Sequence, residues 1–178
     1  HTGTREAKVA GLKYLFYSLG GGFFGLIAVV TGVYYSSNYG EFIFGGSLMT
    51  LTESVSVFVQ ISLLCGLIGF GAKAGVFPLQ AWLPTAHPVA PSPASALLSG
   101  VITKAGVICI IRVVYYFVGP SFIESTWVQY AWLSLATFTV FLGSLMAFLE
   151  KTFKKRLAFS TVSQVSYILC GLALLNDV

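Results

Sequence analysis

The sequence predicts an all-α integral membrane protein, and three observations support this. Of the 178 residues, 56% are hydrophobic and only 9% are charged, whereas a soluble domain carries about 25% charged residues. The apolar residues form long continuous blocks, which is typical of helices that lipid or protein covers on every side. No segment alternates apolar and polar residues as a membrane β-strand does. Because backbone groups in lipid must bond to one another, helices are the remaining way to cross.

Five blocks are long enough to cross a bilayer, and we expect them to form one membrane domain over residues 1–178. The chain begins without methionine and ends directly after an apolar block, so we expect a fragment of a longer subunit. The predicted spans are residues 12–35, 54–84, 93–118, 127–149 and 157–175.

The first span follows a basic N-terminal segment that includes Arg5 and Lys8. Gly21 and Gly25 lie four residues apart in it, and such pairs of small residues let a neighbouring helix approach closely. Glycine is also generally frequent in membrane helices, so composition alone explains the pair equally well. A loop is predicted at residues 36–52.

The second span is longer than the ~20 residues needed to cross, and we expect it to be interrupted. Gly75 and Pro78 mark the break. Proline has no N–H to donate, and its ring clashes with the carbonyl four residues earlier, that of Ala74. Lys73 therefore lies beside a point where carbonyl groups lose their helical partners.

The third span follows a proline-rich connector between Pro84 and Pro93, which we expect to be a loop, and it carries Lys104 near its centre. The midpoint between Lys73 and Lys104 falls within that connector. If the two spans are antiparallel neighbours, both ammonium groups lie at a similar depth in the membrane.

The fourth span begins with Trp127, Tyr130 and Trp132, an aromatic belt typical of a membrane interface. A basic loop at residues 150–156 separates it from the fifth span. With five spans, this loop and the N-terminal segment share one side of the membrane, and the basic residues outside the spans are confined to that side. The positive-inside rule predicts that this side is cytoplasmic. We expect the membrane to be a bacterial or archaeal inner membrane. Topology thus explains the net charge of +4, and we expect lipid and other membrane subunits as partners, with no nucleic acid.

Lys73 and Lys104 are the strongest candidates for chemistry, because an uncompensated ammonium group in an apolar run costs about 2.5 to 3.5 kcal/mol. Desolvation lowers a lysine pKa and a neighbouring carboxylate raises it, so a buried lysine between these influences can relay protons, which arginine cannot. Alternatively, each lysine forms a static ion pair that locks the bundle. The span interiors contain no carboxylate, so an acidic partner would have to come from elsewhere.

Four further residues are weaker candidates for a proton path. Ser160, Gln164 and Tyr167 follow helical spacing and share a face that could hold waters, although hydrogen bonding between helices explains them equally well. An unperturbed histidine has a pKa near physiological pH, so His87 could pass protons at the mouth of a path. The proline connector favours the alternative, a solvated loop histidine.

The sequence argues against a self-contained enzyme. The glycines before Lys73 do not form a phosphate-binding loop, because Ala72 intervenes and no serine or threonine follows. The cysteines at 65, 109 and 170 are widely spaced and cluster with no histidine, so we expect no metal site. We expect no cofactor in this chain.

Three motifs, in order along the chain, resemble one family. They are KYLFYSLGGG, then AKAGVFPLQAWLPTAHPVAPSPASALLSGVITKAGVICIIR, then KKRLAFSTVSQVSYI. They resemble the antiporter-like, proton-conducting membrane subunits of respiratory NADH:quinone oxidoreductase, membrane-bound hydrogenases and Mrp-type cation/proton antiporters.

The resemblance implies a larger transporter fold of about fourteen helices in two inverted repeats, with this chain as its central fragment. It implies that Lys73 is the lysine of the broken helix and Lys104 the central lysine of the next, and that both relay protons along a hydrated axis. A partner glutamate and a later relay residue would lie outside this chain. The resemblance also implies that redox sites lie in other subunits, so the chain would be at most a subunit of a proton-translocating oxidoreductase. Gln80 stands in place of a common histidine, and Thr152 or Phe153 in place of a common aspartate. These departures leave a redox-driven pump and a cation/proton antiporter both open.

Overall fold

The computed structural model describes residues 4–39, 53–124 and 126–175, and all regular structure in these ranges is helical. The α-helices are α1 (Arg5–Tyr39), α2 (Glu53–Ala74), α3 (Leu83–Val89), α4 (Ser92–Leu97), α5 (Thr103–Ile111), α6 (Pro120–Ile123), α7 (Trp127–Leu149) and α8 (Phe153–Ala173). A 3-10 turn at Leu79–Trp82 precedes α3, and π-helical segments at Leu98–Ile102 and Arg112–Val118 flank α5. The predicted all-α fold is confirmed.

Four helical segments in the described ranges are long and apolar enough to cross a membrane, and they correspond to the first four predicted spans. They are Arg5–Tyr34, Val57–Val89, Ser92–Tyr115 and Trp127–Leu149. The helix α8 has 21 residues but is less apolar, because basic residues occupy its first turn and hydroxyl and amide side chains follow. Its crossing of the membrane stays a prediction.

Two boundaries differ from the sequence prediction. The helix α1 continues to Tyr39, into the predicted loop, and residues 40–52 of that loop lie outside the described residues. The proline-rich connector is helical from Leu83 to Val89 instead of forming a loop throughout. Pro84 does not break this helix because it lies in the first turn, where a backbone N–H has no intrahelical acceptor.

The helices α1 and α2 pack closely through glycines. A Cβ atom added to Gly21 would lie 2.7 Å from the carbonyl oxygen of Gly69, and one added to Gly25 would lie 3.2 Å from the Phe70 ring. A larger side chain at Gly21 would therefore force the two helices apart. Of the two explanations left open for this glycine pair, the structure favours the close approach of a neighbouring helix.

The largest buried cluster joins α2, α5, α7 and α8, with Leu67, Ile110, Val128 and Leu169 among its members. The helix α5 meets α2 at Gly106, where an added Cβ would lie 2.7 Å from the backbone nitrogen of Ala74. This contact brings the helix that carries Lys104 against the end of α2 that carries Lys73.

Candidate functional site

The interruption of the second span begins at Gly75. Its backbone φ is +89°, which glycine adopts readily and residues with a Cβ rarely do. The N–H groups of Gly75 and Val76 both donate to the Gly71 carbonyl at 2.8 Å. The chain then passes through Pro78 into the 3-10 turn and α3. The predicted interruption of this span is confirmed.

Two buried side chains replace hydrogen bonds that the helix loses at the break. The Trp82 indole N–H donates to the Ala72 carbonyl at 2.8 Å. The Phe77 backbone N–H, which would bond the Lys73 carbonyl in a continuous helix, donates instead to Thr139 Oγ1 on α7 at 3.1 Å. Trp82 is 2% exposed and Thr139 is 0% exposed. Two buried contacts, one from the adjacent 3-10 turn and one from α7, therefore fix the geometry of the break.

Lys73 lies one residue before the end of α2, and its side chain is exposed. Its two neighbours in sequence face other helices, since Ala72 packs on Gly21 of α1 and Ala74 packs on Gly106 of α5. Lys73 occupies the sector of α2 between these two directions. The expected burial of this lysine is therefore wrong for the described part of the chain. Apolar neighbours in sequence do not bury a side chain whose own face stays open.

Lys104 is also exposed, contrary to expectation, and its ammonium group bonds the backbone. Its Nζ donates to the Ser99 carbonyl at 2.6 Å, and Thr103 Oγ1 donates to the same oxygen at 2.8 Å. Ser99 lies in the π-helical segment before α5, where the helix departs from regular pairing between residues four apart. This distortion gives Lys104 a neutral carbonyl partner instead of a carboxylate.

A polar cavity of about 560 Å³ lies beside Lys104, between α8 and the segment from α3 to α5. Four of the predicted site residues line it together: His87, Lys104, Ser160 and Gln164. The remaining polar lining side chains are Ser92, Ser95, Ser99, Lys154 and Thr161. No carboxylate of the described residues lines this cavity, so its charge is cationic.

Two predicted site residues lie away from this cavity. Tyr167 is exposed on α8 and does not line it, so the face predicted for Ser160, Gln164 and Tyr167 contributes only its first two members. Lys73 does not line it either. The structure therefore brings Lys104 together with the secondary candidates and leaves Lys73 at the helix break.

His87 is buried in α3, with 5% of its surface exposed. Its Nδ1 lies 2.6 Å from Ser95 Oγ, and its buried Nε2 has no hydrogen-bond partner among the described residues. The solvated loop position that the sequence favours is wrong, because the connector folds into α3 and packs on α8. One imidazole nitrogen is thus held in place while the other remains unbonded.

Lys154 lines the same cavity and is absent from the predicted site residues. Its Nζ donates to the Ala90 carbonyl, beyond the end of α3, at 3.4 Å. The available signal is helical spacing, because Lys154, Thr161 and Gln164 recur at i, i+7 and i+10. This spacing could not be used from the sequence alone, because residues 150–156 are predicted to form a loop. In the structure the helix already begins at Phe153, inside that basic stretch.

The cavity joins two helices through hydroxyl groups. Ser99 Oγ and Thr161 Oγ1 lie 3.2 Å apart, so they link the π-helical segment to α8. Together with the His87 imidazole and the Gln164 amide, these hydroxyls form a surface that can bind water and exchange protons with it. Among the described residues, this is where the predicted site residues come together.

Comparison with known proteins gives consistent results. A transmembrane family described as NADH:quinone oxidoreductase/Mrp antiporter matches residues 2–177. Hydrogenase-4 component B of Escherichia coli is 41% identical over 123 residues, which are 69% of this chain and 18% of that protein. NAD(P)H-quinone oxidoreductase chain 4 2 of Thermosynechococcus vestitus is 31% identical over 176 residues, which are 99% of this chain and 32% of that protein. The chain therefore spans about a third or less of the length of these relatives.

Solved structures resemble the fold over nearly the whole chain. The Mrp complex from Dietzia sp. matches with a TM-score of 0.79 at 24% identity, covering 96% of this chain and 30% of the matched chain. The membrane-bound sulfane sulfur reductase, an archaeal respiratory membrane complex, matches with a TM-score of 0.78 at 26% identity. This match covers 97% of this chain and 34% of the matched chain.

Proposed function

Because the chain belongs to the NADH:quinone oxidoreductase/Mrp antiporter transmembrane family, we propose that it translocates protons, or exchanges a cation for protons, across a membrane. It would do so as part of an antiporter-like subunit in a respiratory, hydrogenase or antiporter complex. Relatives named as components of hydrogenase and quinone oxidoreductase complexes support membrane subunits as its partners. A bacterial or archaeal inner membrane, with the N-terminal segment cytoplasmic, is part of this proposal.

The observation that carries the proposal is the cationic cavity that gathers Lys104, His87, Ser160 and Gln164. Lys104 is the proposed relay group, because its ammonium group bonds only a neutral carbonyl and adjoins a space for water. The unbonded Nε2 of His87 is the proposed next acceptor or donor. Lys73, at the helix break, would transfer protons to the cavity beside Lys104, since α2 and α5 are in contact at Gly106.

The alternative is a structural subunit in which both lysines form static ion pairs. No described carboxylate pairs with Lys104 or Lys73, so such pairs would require partners on other segments or other subunits. The two hypotheses differ in whether the ammonium groups lie against water or against a fixed acid.

The energy source is also part of the proposal. We propose that redox reactions in other subunits, or an opposing cation gradient, drive the transport.

The test replaces each lysine separately, as Lys104→Met and Lys73→Ala, in the full-length subunit within its native complex. The complex is reconstituted in liposomes, proton flux is followed with a pH-sensitive dye, and assembly is checked on a native gel. We expect proton flux to fall at least about tenfold, which corresponds to raising the free-energy barrier to proton transfer by ~1.4 kcal/mol. Lys151→Met is the matched control, since Lys151 is exposed and lines neither the cavity nor the break. Full flux through assembled Lys104→Met and Lys73→Ala complexes would favour the structural alternative.

A further inference from the structure

A second and larger cavity, of about 690 Å³, lies on the opposite side of α3 and α8 from the Lys104 cavity. Its lining comes from the start of α1, the 3-10 turn and α3, the end of α7 and the start of α8. It shares no lining residue with the Lys104 cavity. The proposed function leaves it unused.

Four charged side chains surround this cavity, two of each sign. Arg5 and Lys155 are the cations, and Glu6 and Glu150 are the anions. None of the four forms an ion pair with another described residue, and the Glu150 carboxylate accepts the backbone N–H of Thr152 at 3.2 Å. The Arg156 guanidinium donates to the backbone carbonyl of Glu150, at 3.1 and 3.2 Å, and not to its carboxylate. Two unpaired cations and two unpaired carboxylates beside one space match a ligand that carries both a negative and a positive group.

The remaining lining is mostly apolar. Val9, Leu142, Met146 and Phe159 form its walls, together with the prolines of α3. The charged residues lie where the apolar helices begin or end: Arg5 begins α1, Glu150 follows α7, and Lys155 is in the first turn of α8. Helix ends of this kind lie at the level of lipid headgroups. The cavity therefore has the polarity profile of a phospholipid, charged at the interface and apolar below.

Gln80 supplies an independent observation within the wall. It is 9% exposed, and its buried Oε1 has no hydrogen-bond partner among the described residues. A buried acceptor without a donor is costly, so a ligand with N–H groups is favoured here. A primary ammonium group has such donors, whereas a quaternary ammonium group has none.

We propose that this cavity binds a phospholipid of the phosphatidylethanolamine type. Arg5 and Lys155 hold the phosphate, Glu6 and Glu150 hold the ammonium group, and an acyl chain lies along Leu142, Met146 and Phe159. The N–H groups of the headgroup also supply the donor that Gln80 lacks. This assignment does not depend on proton transport.

The test uses the full-length subunit in its native complex, purified through nanodiscs that contain equal parts of phosphatidylethanolamine, phosphatidylcholine and phosphatidylglycerol. Lipid that stays bound after transfer to detergent is quantified by mass spectrometry. We expect phosphatidylethanolamine to be retained over phosphatidylcholine by at least about fivefold. If the native complex retains no more phosphatidylethanolamine than phosphatidylcholine, the proposal is overturned, because another protein segment or bulk lipid would then fill the space.

Charge variants identify the site of retention. Glu6→Gln with Glu150→Gln leaves two cations, so the preference should shift from phosphatidylethanolamine to the anionic phosphatidylglycerol. Arg5→Gln with Lys155→Gln should abolish retention of both. The control, Lys8→Gln with Lys151→Gln, removes the same charge from residues outside the cavity and should retain the original preference.

Met146→Trp is a further variant that fills the apolar wall without changing charge, and it should lose the lipid while the complex stays assembled on a native gel. It keeps the test decisive if a charge variant fails to assemble. A wild-type retention pattern in the assembled Met146→Trp complex, or in assembled charge variants, would place the lipid elsewhere and overturn the assignment.

Discussion

The interruption after α2 and the π-helical segment before α5 each distort a membrane helix beside a lysine, and the two distortions are stabilised by different means. At the interruption, the buried side chains of Trp82 and Thr139 bond the backbone groups that the helix leaves unpaired. Beside α5, the ammonium group of Lys104 itself bonds a backbone carbonyl, and an open polar cavity adjoins it.

This difference indicates separate roles for two lysines that look alike in sequence. The geometry around Lys73 depends on tight packing and on hydrogen bonds from Trp82 of the 3-10 turn and Thr139 of α7. The surroundings of Lys104 depend on hydroxyl groups, an imidazole and a cavity able to hold water. Substitutions in the first region should therefore reduce stability strongly, whereas single polar substitutions in the second should reduce it little.

The largest loss of stability is expected where the two regions meet, at Gly106. In Gly106→Ala the new methyl group would lie 2.7 Å from the Ala74 nitrogen, so α5 and α2 must separate, at a cost of about 1–3 kcal/mol in the free energy of unfolding. Denaturant titration of the full-length subunit in mixed micelles measures this cost. Gly100→Ala, whose methyl group meets nothing within 4 Å, is the control. Equal stability of the two variants would mean that the helices are not in close contact.

The next largest loss is expected at the break itself, in Gly75→Ala. The added Cβ would make an ordinary contact of 3.5 Å with Val162, so backbone strain at φ +89° is the main cost, about 1–2 kcal/mol. Gly171→Ala in α8 adds the same methyl group at an open helical position and should be neutral or stabilising. The same titration compares the two, and a neutral Gly75→Ala would contradict the observed backbone conformation.

A smaller loss of stability is expected at the buried Trp82, and the same substitution at the buried Trp132, Trp132→Phe, is its control. Trp82→Phe leaves the Ala72 carbonyl without its donor, whereas the Trp132 indole N–H has no partner among the described residues. Both substitutions lose comparable apolar volume, so Trp82→Phe should be the more destabilising by about 1 kcal/mol. Thermal unfolding followed by intrinsic fluorescence compares them. If the two variants lose the same stability, the hydrogen bond to Ala72 contributes nothing at the break.

The smallest loss is expected in the cavity region, from Thr161→Val. This change removes the hydroxyl that contacts Ser99 at 3.2 Å and should cost about 0.6 kcal/mol, a typical value for a hydrogen bond between membrane helices. Thr161→Ser retains the hydroxyl and is the control in the same unfolding assay. A loss as large as that of Gly75→Ala would contradict the contrast between a tightly packed break and an adaptable cavity.

Local features of the sequence predict the architecture well. Blocks of apolar residues predict five spans, and four of them correspond to helical segments long and apolar enough to cross a membrane. Gly75 with Pro78 predicts the interruption, because backbone constraints act within a few residues. The helical spacing of Ser160 and Gln164 predicts that they share a face, and both line the cavity. The same spacing does not exclude Tyr167, since periodicity gives a direction around a helix but not where a cavity ends.

The burial of a side chain, and which side chains meet at one site, are harder to predict because both depend on contacts between distant residues. His87 looks solvated in a proline-rich stretch, yet it is buried once that stretch folds into α3 against α8. The two lysines look buried within apolar runs, yet both are exposed in the described part of the chain. In each case the immediate sequence describes the backbone neighbours, whereas exposure depends on which helix covers that face.

The sequence by itself determined that this protein is a bundle of membrane helices, where its second span is interrupted, and which two lysines lie in apolar runs. These properties follow from hydrophobic block length and from the stereochemistry of single proline and glycine residues. Only the tertiary structure decided that Trp82 and Thr139 hold the break, that His87 and Lys104 line one cavity, and that Gln80 and four unpaired charges line another. Those outcomes required residues as far apart as Phe77 and Thr139 to meet, and packing between helices, not local propensity, brings such residues together.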